Sequence, residues 1–284
     1  MTILDRDGVH LFYEEQGDAE PTLLFVHGWS GDHHHFGPQA ARFAANHRVI
    51  SVDLRGHGAS DVPDQAYTVE GFADDLSWLC GHLGTDRVVV VGHSMGGSVA
   101  LALAANHQEL VSAVVLVDSP LVWPDDTRSA LRQGAEAMSG PDGAAVRRTI
   151  IDAFFIPTDN AERRIALTEQ MLQTPDQVAA SAFLSVATWD QHGAAARVKA
   201  PVLALLSGTM PLTVADNFPS GVVDELAIGQ TVGAGHFIQL EVPDQVNSML
   251  ERFLQLLRGG PAKAPSPVPS PSAPGADIIR RLRG

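Results

Sequence analysis

Val88-Val-Val-Val-Gly92-His93-Ser94-Met95-Gly96-Gly97 is the stretch on which the reading of this sequence turns. Its β-branched first half reads as a strand buried on both faces, over Arg87 to Val91, and the Ala- and Leu-rich residues from Met95 to Asn106 read as a helix. Between them stands Gly-x-Ser-x-Gly. Small residues either side let the chain turn so sharply that a serine hydroxyl stands exposed at a sheet edge, at a helix N-terminus whose dipole favours developing negative charge. Such five-residue strings recur by chance; the strand before and the helix after make Ser94 a candidate nucleophile.

The same alternation extends outward. Thr22 to Val26, Arg48 to Val52, Ser112 to Val117 and Pro201 to Leu206 each hold four or more apolar residues between turn signals, and Leu4 to Glu15 reads as a hairpin turning at Asp7-Gly8. Helices are expected near Phe36 to Asn46 and Val69 to Leu83. Asp244 to Leu257, with Val246, Met249, Leu250, Phe253, Leu254 and Leu257 at helical spacing, closes the pattern. This predicts an α/β fold, a mostly parallel sheet with helices on both faces. From Leu121 to about Val198 no strand is legible, only helical segments carrying Trp123, Met138, Phe154, Phe155, Met171, Phe183 and Trp189; it reads as a helical insertion.

Composition narrows the function. The chain has 284 residues and a formal net charge of −14, which argues against non-specific nucleic-acid binding. No apolar run approaches the roughly 20 residues of a membrane span, and Met1 to Gly8 lacks the order of a signal peptide, so a cytoplasmic location is expected. The single cysteine, Cys80, lies in an apolar helical stretch and reads as a buried, inert thiol. Beyond Arg258 the sequence turns to Gly, Pro, Ala and Ser, an extended linker, and ends in Ala276 to Gly284, where Ile278, Ile279 and Leu282 could form one side of a short docking helix among Arg280, Arg281 and Arg283.

A serine hydroxyl needs a base beside it in space. His236, in the glycine-flanked loop Gly233-Ala-Gly-His-Phe237 before the last helix, is the best placed of the 12 histidines. The oxyanion of an acyl transfer needs donors as well. The backbone N–H of Met95 is one, and that of Trp29, in His27-Gly28-Trp29 after the first parallel strand, is the other; losing such a donor costs about 3 to 4 kcal/mol in other serine enzymes. His33-His34-His35 is a poor metal site, because adjacent residues rarely converge on one ion, and neither a metal nor another cofactor is expected.

The Ser94 turn, the His27-Gly28 loop, Asp53-Leu-Arg-Gly-His-Gly-Ala-Ser60 and the Gly-His-Phe loop together resemble the α/β-hydrolase fold superfamily over residues 1 to 258. The resemblance implies a core of residues 1–120 and 199–258, a lid of residues 121–198 and a tail of residues 259–284. It also implies a small, apolar substrate, contacted by Trp123, Phe154 and Trp189 from the lid and by His93 and Phe237 beside the Ser/His pair. The third triad member departs from the common pattern. The carboxylate expected after Val202 to Gly208 is missing; Asp216 comes late, Asp224 and Glu225 later still, whereas Asp118 ends the strand before the lid, where some branches place their acid. Asp118 is the preferred assignment. That position resembles zearalenone lactonase, which carries glutamate there, and also the cofactor-free hydroxyquinolone 2,4-dioxygenases. The latter have a Gly-Trp turn followed by Asp-His, echoed in Gly28-Trp29-Ser-Gly-Asp32-His33, but a second histidine where this chain has Met95. The expected function is a serine hydrolase of an ester, lactone or related carbonyl. The alternatives are a dioxygenase using the His236/Asp118 pair as base, and a binding protein that keeps the pocket without turnover.

Overall fold

The computed structural model describes residues 2–208, 221 and 223–259. Strands β1 (Thr2–Arg6) and β2 (Val9–Gln16) form the expected hairpin, and Asp7 and Gly8 take φ of 56° and 84°, the positive values a two-residue turn between twisted strands requires. Next come β3 (Thr22–Val26), β4 (Val49–Val52), β5 (Val88–His93), β6 (Val111–Val117) and β7 (Val202–Leu206), each starting or ending within two residues of its apolar run. An eighth strand, β8 (Leu226–Gln230), has no clear signal in the sequence: it is the edge strand, half-buried or exposed throughout, so nothing demands an apolar face.

The sheet runs β1-β2-β4-β3-β5-β6-β7-β8, antiparallel at β1/β2 and β2/β4 and parallel from β4 onward. After β3 the chain forms β4 on one side and later β5 on the other. The topological switch therefore lies between β3 and β5, and a crevice opens at their C-terminal ends. The loops holding Trp29 and Ser94 leave the sheet there.

The helix expected near Phe36 to Asn46 is present but shorter. Asp32 caps the N–H of His34 and starts a 3-10 turn, His33–Phe36, which leads into the short helix α1 (Gly37–Phe43). Helix α2 (Val69–His82) is capped by Thr68, and α3 (Met95–Asn106) is buried on every side from Met95 to Ala105, as its all-apolar sequence requires. Helices α4 (Asp125–Met138), α5 (Gly143–Asp152), α6 (Ala161–Met171), α7 (Asp176–Thr188) and α8 (Gln191–Arg197) lie between β6 and β7 in the chain, with α4 packed on α7. The last helices among the described residues are α9 (Ile238–Glu241) and α10 (Pro243–Arg258).

The chain divides into two units, Met1–Met249 and Leu250–Gly284. Among the described residues, those of the second are the last turns of α10 and Gly259. Asp216 and the Pro-rich and basic tail lie outside the described residues. No helix among the described residues is long and apolar enough to cross a membrane. Cys80 is buried, and that burial pushes its thiol up to about 12.

Candidate active site

Ser94 stands between β5 and α3 at φ 52° and ψ −118°, so the unusual backbone conformation falls on the serine and not on the glycines around it. Holding a non-glycine residue there costs of order 1 to 3 kcal/mol, and such strain persists only where the surroundings enforce it. The glycines supply that enforcement through close approach. A Cβ on Gly92 would stand 2.1 Å from the Gly96 carbonyl oxygen, and one on Gly96 would stand 2.3 Å from the Val26 oxygen and 2.4 Å from that of His27. The tight bend thus lets α3 begin directly against the end of β3.

Asp118 follows β6 at φ 44°. One carboxylate oxygen, Oδ1, accepts the Ser207 N–H at the end of β7 (2.8 Å), and the other, Oδ2, accepts from Nδ1 of His236 (2.8 Å). Both side chains are buried, Asp118 completely. A carboxylate that accepts this bond leaves Nδ1 as the protonated nitrogen and Nε2 as the open base. Asp224 and Glu225 are exposed at the start of β8, at the opposite end of the parallel strands. Among the described candidates, Asp118 is the carboxylate brought to His236.

The His27-Gly28-Trp29 loop is pressed against the Ser94 turn. A Cβ on Gly28 would lie 2.7 Å from Nδ1 of His93 and 3.2 Å from Cβ of Ser94, which puts Trp29 directly beside the serine. Met95 begins α3, so its N–H is one of the helix-end donors that lack an intrahelical acceptor. His27 holds the loop in shape: Nδ1 donates to the Gly28 carbonyl (2.8 Å) and Nε2 accepts the Leu54 N–H (3.0 Å). Burial first, and then neighbouring His57, bring its pKa down to about 3, so the ring is neutral.

Trp29, His35, His93, Ser94, Phe154, Met171, His236 and Phe237 enclose one cavity of about 10 Å³, at the threshold for a single water. Of the residues expected to contact substrate, His93, Phe154 and Phe237 line this cavity. Trp123 and Trp189 are not among the lining residues. Trp123 instead donates from Nε1 to Ser98 Oγ on α3 (3.1 Å), and Trp189 is buried, 6% exposed, at the end of α7. His35 and Met171 line the cavity without having been named as site residues, and Trp29, named only for its backbone N–H, lines it as well, since periodicity shows which residues are buried and not which of them meet. Two roomier hollows, about 510 Å³ near Ser77 and His107 and about 420 Å³ near Glu14 and His33, contain no residue of the Ser94 turn; chemistry, not size, selects the site.

The three consecutive histidines part ways. His35 Nε2 donates to Gln170 Oε1 (2.9 Å), whereas His33 donates from Nδ1 to Asp53 Oδ1 (2.8 Å). Asp32, His33 and His34 bring one donor atom each within 4.8 Å of one another, but Asp32 already accepts from the His34 N–H. Burial alone would raise the Asp53 carboxyl; the hydrogen bond from His33, helped by those from the Ala59 and His33 N–H groups, outweighs it and holds the group below its ordinary value.

Residues 21–154 match the protein family described as alpha/beta hydrolase fold. Over 264 residues the chain is 26% identical to 3-oxoadipate enol-lactonase 1 of Acinetobacter baylyi, spanning 91% of this chain and 96% of that one. A thermophilic esterase from Thermogutta terrifontis superimposes with a TM-score of 0.76 at 26% identity, covering 90% of this chain and 97% of its own. Est816, described as an N-acyl homoserine lactone degrading enzyme, gives 0.76 at 25% identity over 89% and 100%.

Proposed function

The chain belongs to the α/β-hydrolase fold superfamily, and from that membership and the geometry of its site we propose that it is a serine hydrolase cleaving uncharged esters or lactones through Ser94, His236 and Asp118. The observation that carries this reading is that Ser94 and His236 open onto one cavity while Asp118 holds His236 from behind. His236 Nε2 takes the hydroxyl proton as Ser94 Oγ bonds to the carbonyl carbon. The oxyanion is met by the N–H groups of Trp29 and Met95. The same proton then passes to the leaving alkoxide, the C–O bond breaks, and water repeats the sequence on the acyl-enzyme. Asp118 stabilises the imidazolium and fixes its tautomer. No cofactor enters any step.

Substrate class follows from the lining. Among the described residues it carries no ionisable side chain apart from imidazoles: Trp29, Phe154, Met171 and Phe237 offer apolar surface and nothing to pair with a carboxylate. Enol-lactones, homoserine lactones and esters are the compounds that the relatives' names record, which suits an acyl-transfer site. A cavity of about 10 Å³ admits none of them as it stands, so the helices α4–α8 act as a lid and its wall at Phe154 and Met171 must give way for substrate to reach Ser94.

A fluorophosphonate probe tests the reading. Wild-type protein should label covalently and rapidly, Ser94→Ala should not label, and hydrolysis of short-chain p-nitrophenyl esters or γ-lactones should fall by about 10⁴-fold or more with the same substitution. An unlabelled protein that consumes oxygen with a hydroxyquinolone would replace this reading with the dioxygenase.

A further inference from the structure

The backbone around His236 is held far more tightly than a loop that merely delivers a side chain. The N–H of His236 donates to the Phe154 carbonyl (3.3 Å), and its own carbonyl accepts from Nε2 of His93 (2.9 Å). On either side, the N–H of Gly235 donates to Glu241 Oε2 (2.8 Å) and that of Phe237 to Glu241 Oε1 (3.0 Å). Four main-chain groups in three consecutive residues are thereby fixed from three directions: the Ser94 turn, helix α9 and the stretch after α5.

Building on the hydrolase reading, we propose that Glu241 and His93 are positioning residues, a two-sided clasp that sets the His236 imidazole between Ser94 and Asp118. The chemistry at each end is specific. The two N–H donors reach separate oxygens of one side chain, and a carboxylate offers two acceptor oxygens where an amide offers one. Burial is the main reason the Glu241 carboxyl sits above its ordinary range, with Asp159 adding to it, so an acidic group is kept here against an electrostatic cost. His93 occupies the variable position before the serine, where its ring lies against His236 with centroids 4.7 Å apart. A carbonyl can only accept, so the His93 proton is on Nε2. Burial, and then the neighbouring His236, hold its pKa well below 6.5, which keeps the ring neutral with that single N–H. His93 therefore ties the loop carrying the base to the turn carrying the nucleophile. This assigns it a different task from touching substrate.

The experiment compares Glu241→Gln, His93→Leu and His93→Gln with wild type. Gln at 241 replaces one acceptor by an NH₂ group facing a donor; Leu at 93 removes the donor, and Gln there restores one at similar reach. Ester hydrolysis should lose about ten- to a hundredfold in kcat for Glu241→Gln and His93→Leu with KM unchanged, as expected for a misplaced base, and His93→Gln should recover most of the loss. The second readout needs no turnover. The His236 Nδ1 proton in ¹⁵N-histidine-labelled protein should appear far downfield and exchange with water faster in the two damaging variants. Unchanged kcat and exchange in both would overturn the clasp, as would a fall in melting temperature alone or equal losses for Leu and Gln at position 93. If Glu241→Gln does not fold, the His93 pair decides. If wild-type protein neither hydrolyses esters nor labels with a fluorophosphonate, the hydrolase reading fails, while proton exchange still judges the clasp.

Discussion

The strand ends of the core and the helices α4–α8 wall the same cavity, but they hold their residues there by different means. Ser94 and Asp118 sit at positive φ immediately after β5 and β6, and glycines too cramped for a Cβ fix the first of them. Phe154, in the turn after α5, and Met171, at the end of α6, reach the cavity from the segment between β6 and β7; apart from the bond of the Phe154 carbonyl to the His236 N–H, it is side-chain packing that places them. Main-chain constraint gives the core a geometry that a single atom can destroy. Packing gives the helices a surface that can be reshaped. The largest test of that contrast is Asp118→Asn. The amide keeps the volume, but its NH₂ group or the altered tautomer turns Nε2 away from its role as base, and turnover should fall by about 10⁴-fold with little change in KM. A loss under tenfold would mean that the buried pair is structural, and that the core's rigidity serves something other than catalysis.

That contrast also explains what the sequence could and could not reveal. The strands β3 to β7 are buried almost throughout on both faces, so their residues are mostly apolar and easily read. Ser94, His236 and the Asp118 carboxylate are tied to motifs or strand ends, and the structure brings them to one place. The edge strand β8 has no such requirement and left no signal. Nor did Glu241: its partners are the backbone N–H groups six and four residues earlier, and backbone donors have no letter in a sequence. Trp123 and Trp189 mark the opposite failure. They are large and aromatic, as pocket residues are, yet helical periodicity gives a buried face without saying which neighbour fills it.

A second difference between the regions is where the titratable rings are buried. His27, His35, His57 and His93 are all core residues and fully buried; His192, on α8, is exposed. Burial is the leading cause of a lowered pKa in all four, to about 3 for His27 and about 4 for His57. Below pH 6.5 the unfolded chain therefore takes up protons that the folded chain refuses. Each ring lowers the unfolding free energy by up to about 1.4 kcal/mol per pH unit until its folded pKa is reached. Glu241 works in the other direction, since its raised pKa adds stability as pH falls through the folded value, but it is one group against four. His33, raised by its carboxylate partners, has its full contribution below 6.5 and loses it only as pH rises through its folded value. Urea midpoints should drop by several tenths of a molar or more between pH 7.5 and pH 5. An unchanged midpoint would show that the core histidines are not buried as neutral rings.

Smaller effects probe the helical side. Phe154 lies tilted against His236 with centroids 4.7 Å apart and meets Trp29 edge-on at 6.3 Å. Truncation to Ala opens the cavity where the core does not constrain it. The ratio of kcat/KM for a bulky over an acetyl ester should rise by about tenfold, the scale on which an apolar pocket discriminates a few carbons. A uniform loss for all esters would mean that Phe154 orients His236 and does not shape the acyl pocket.

Trp123→Phe should have the smallest effect, and it separates burial from function. The indole donates to Ser98 on α3, and Gln191 brackets the Trp123 backbone, accepting its N–H (2.6 Å) and donating to its carbonyl (3.0 Å). Phe keeps the ring's bulk and leaves the Gln191 bracket intact, so only one part-buried hydrogen bond is lost. That should cost about 1 kcal/mol of stability and leave kcat/KM unchanged for both the acetyl and the bulky ester. A change in the selectivity ratio comparable to that of Phe154→Ala would place Trp123 back in the acyl pocket, because loss of one hydrogen bond to α3 has no reason to distinguish one acyl chain from another.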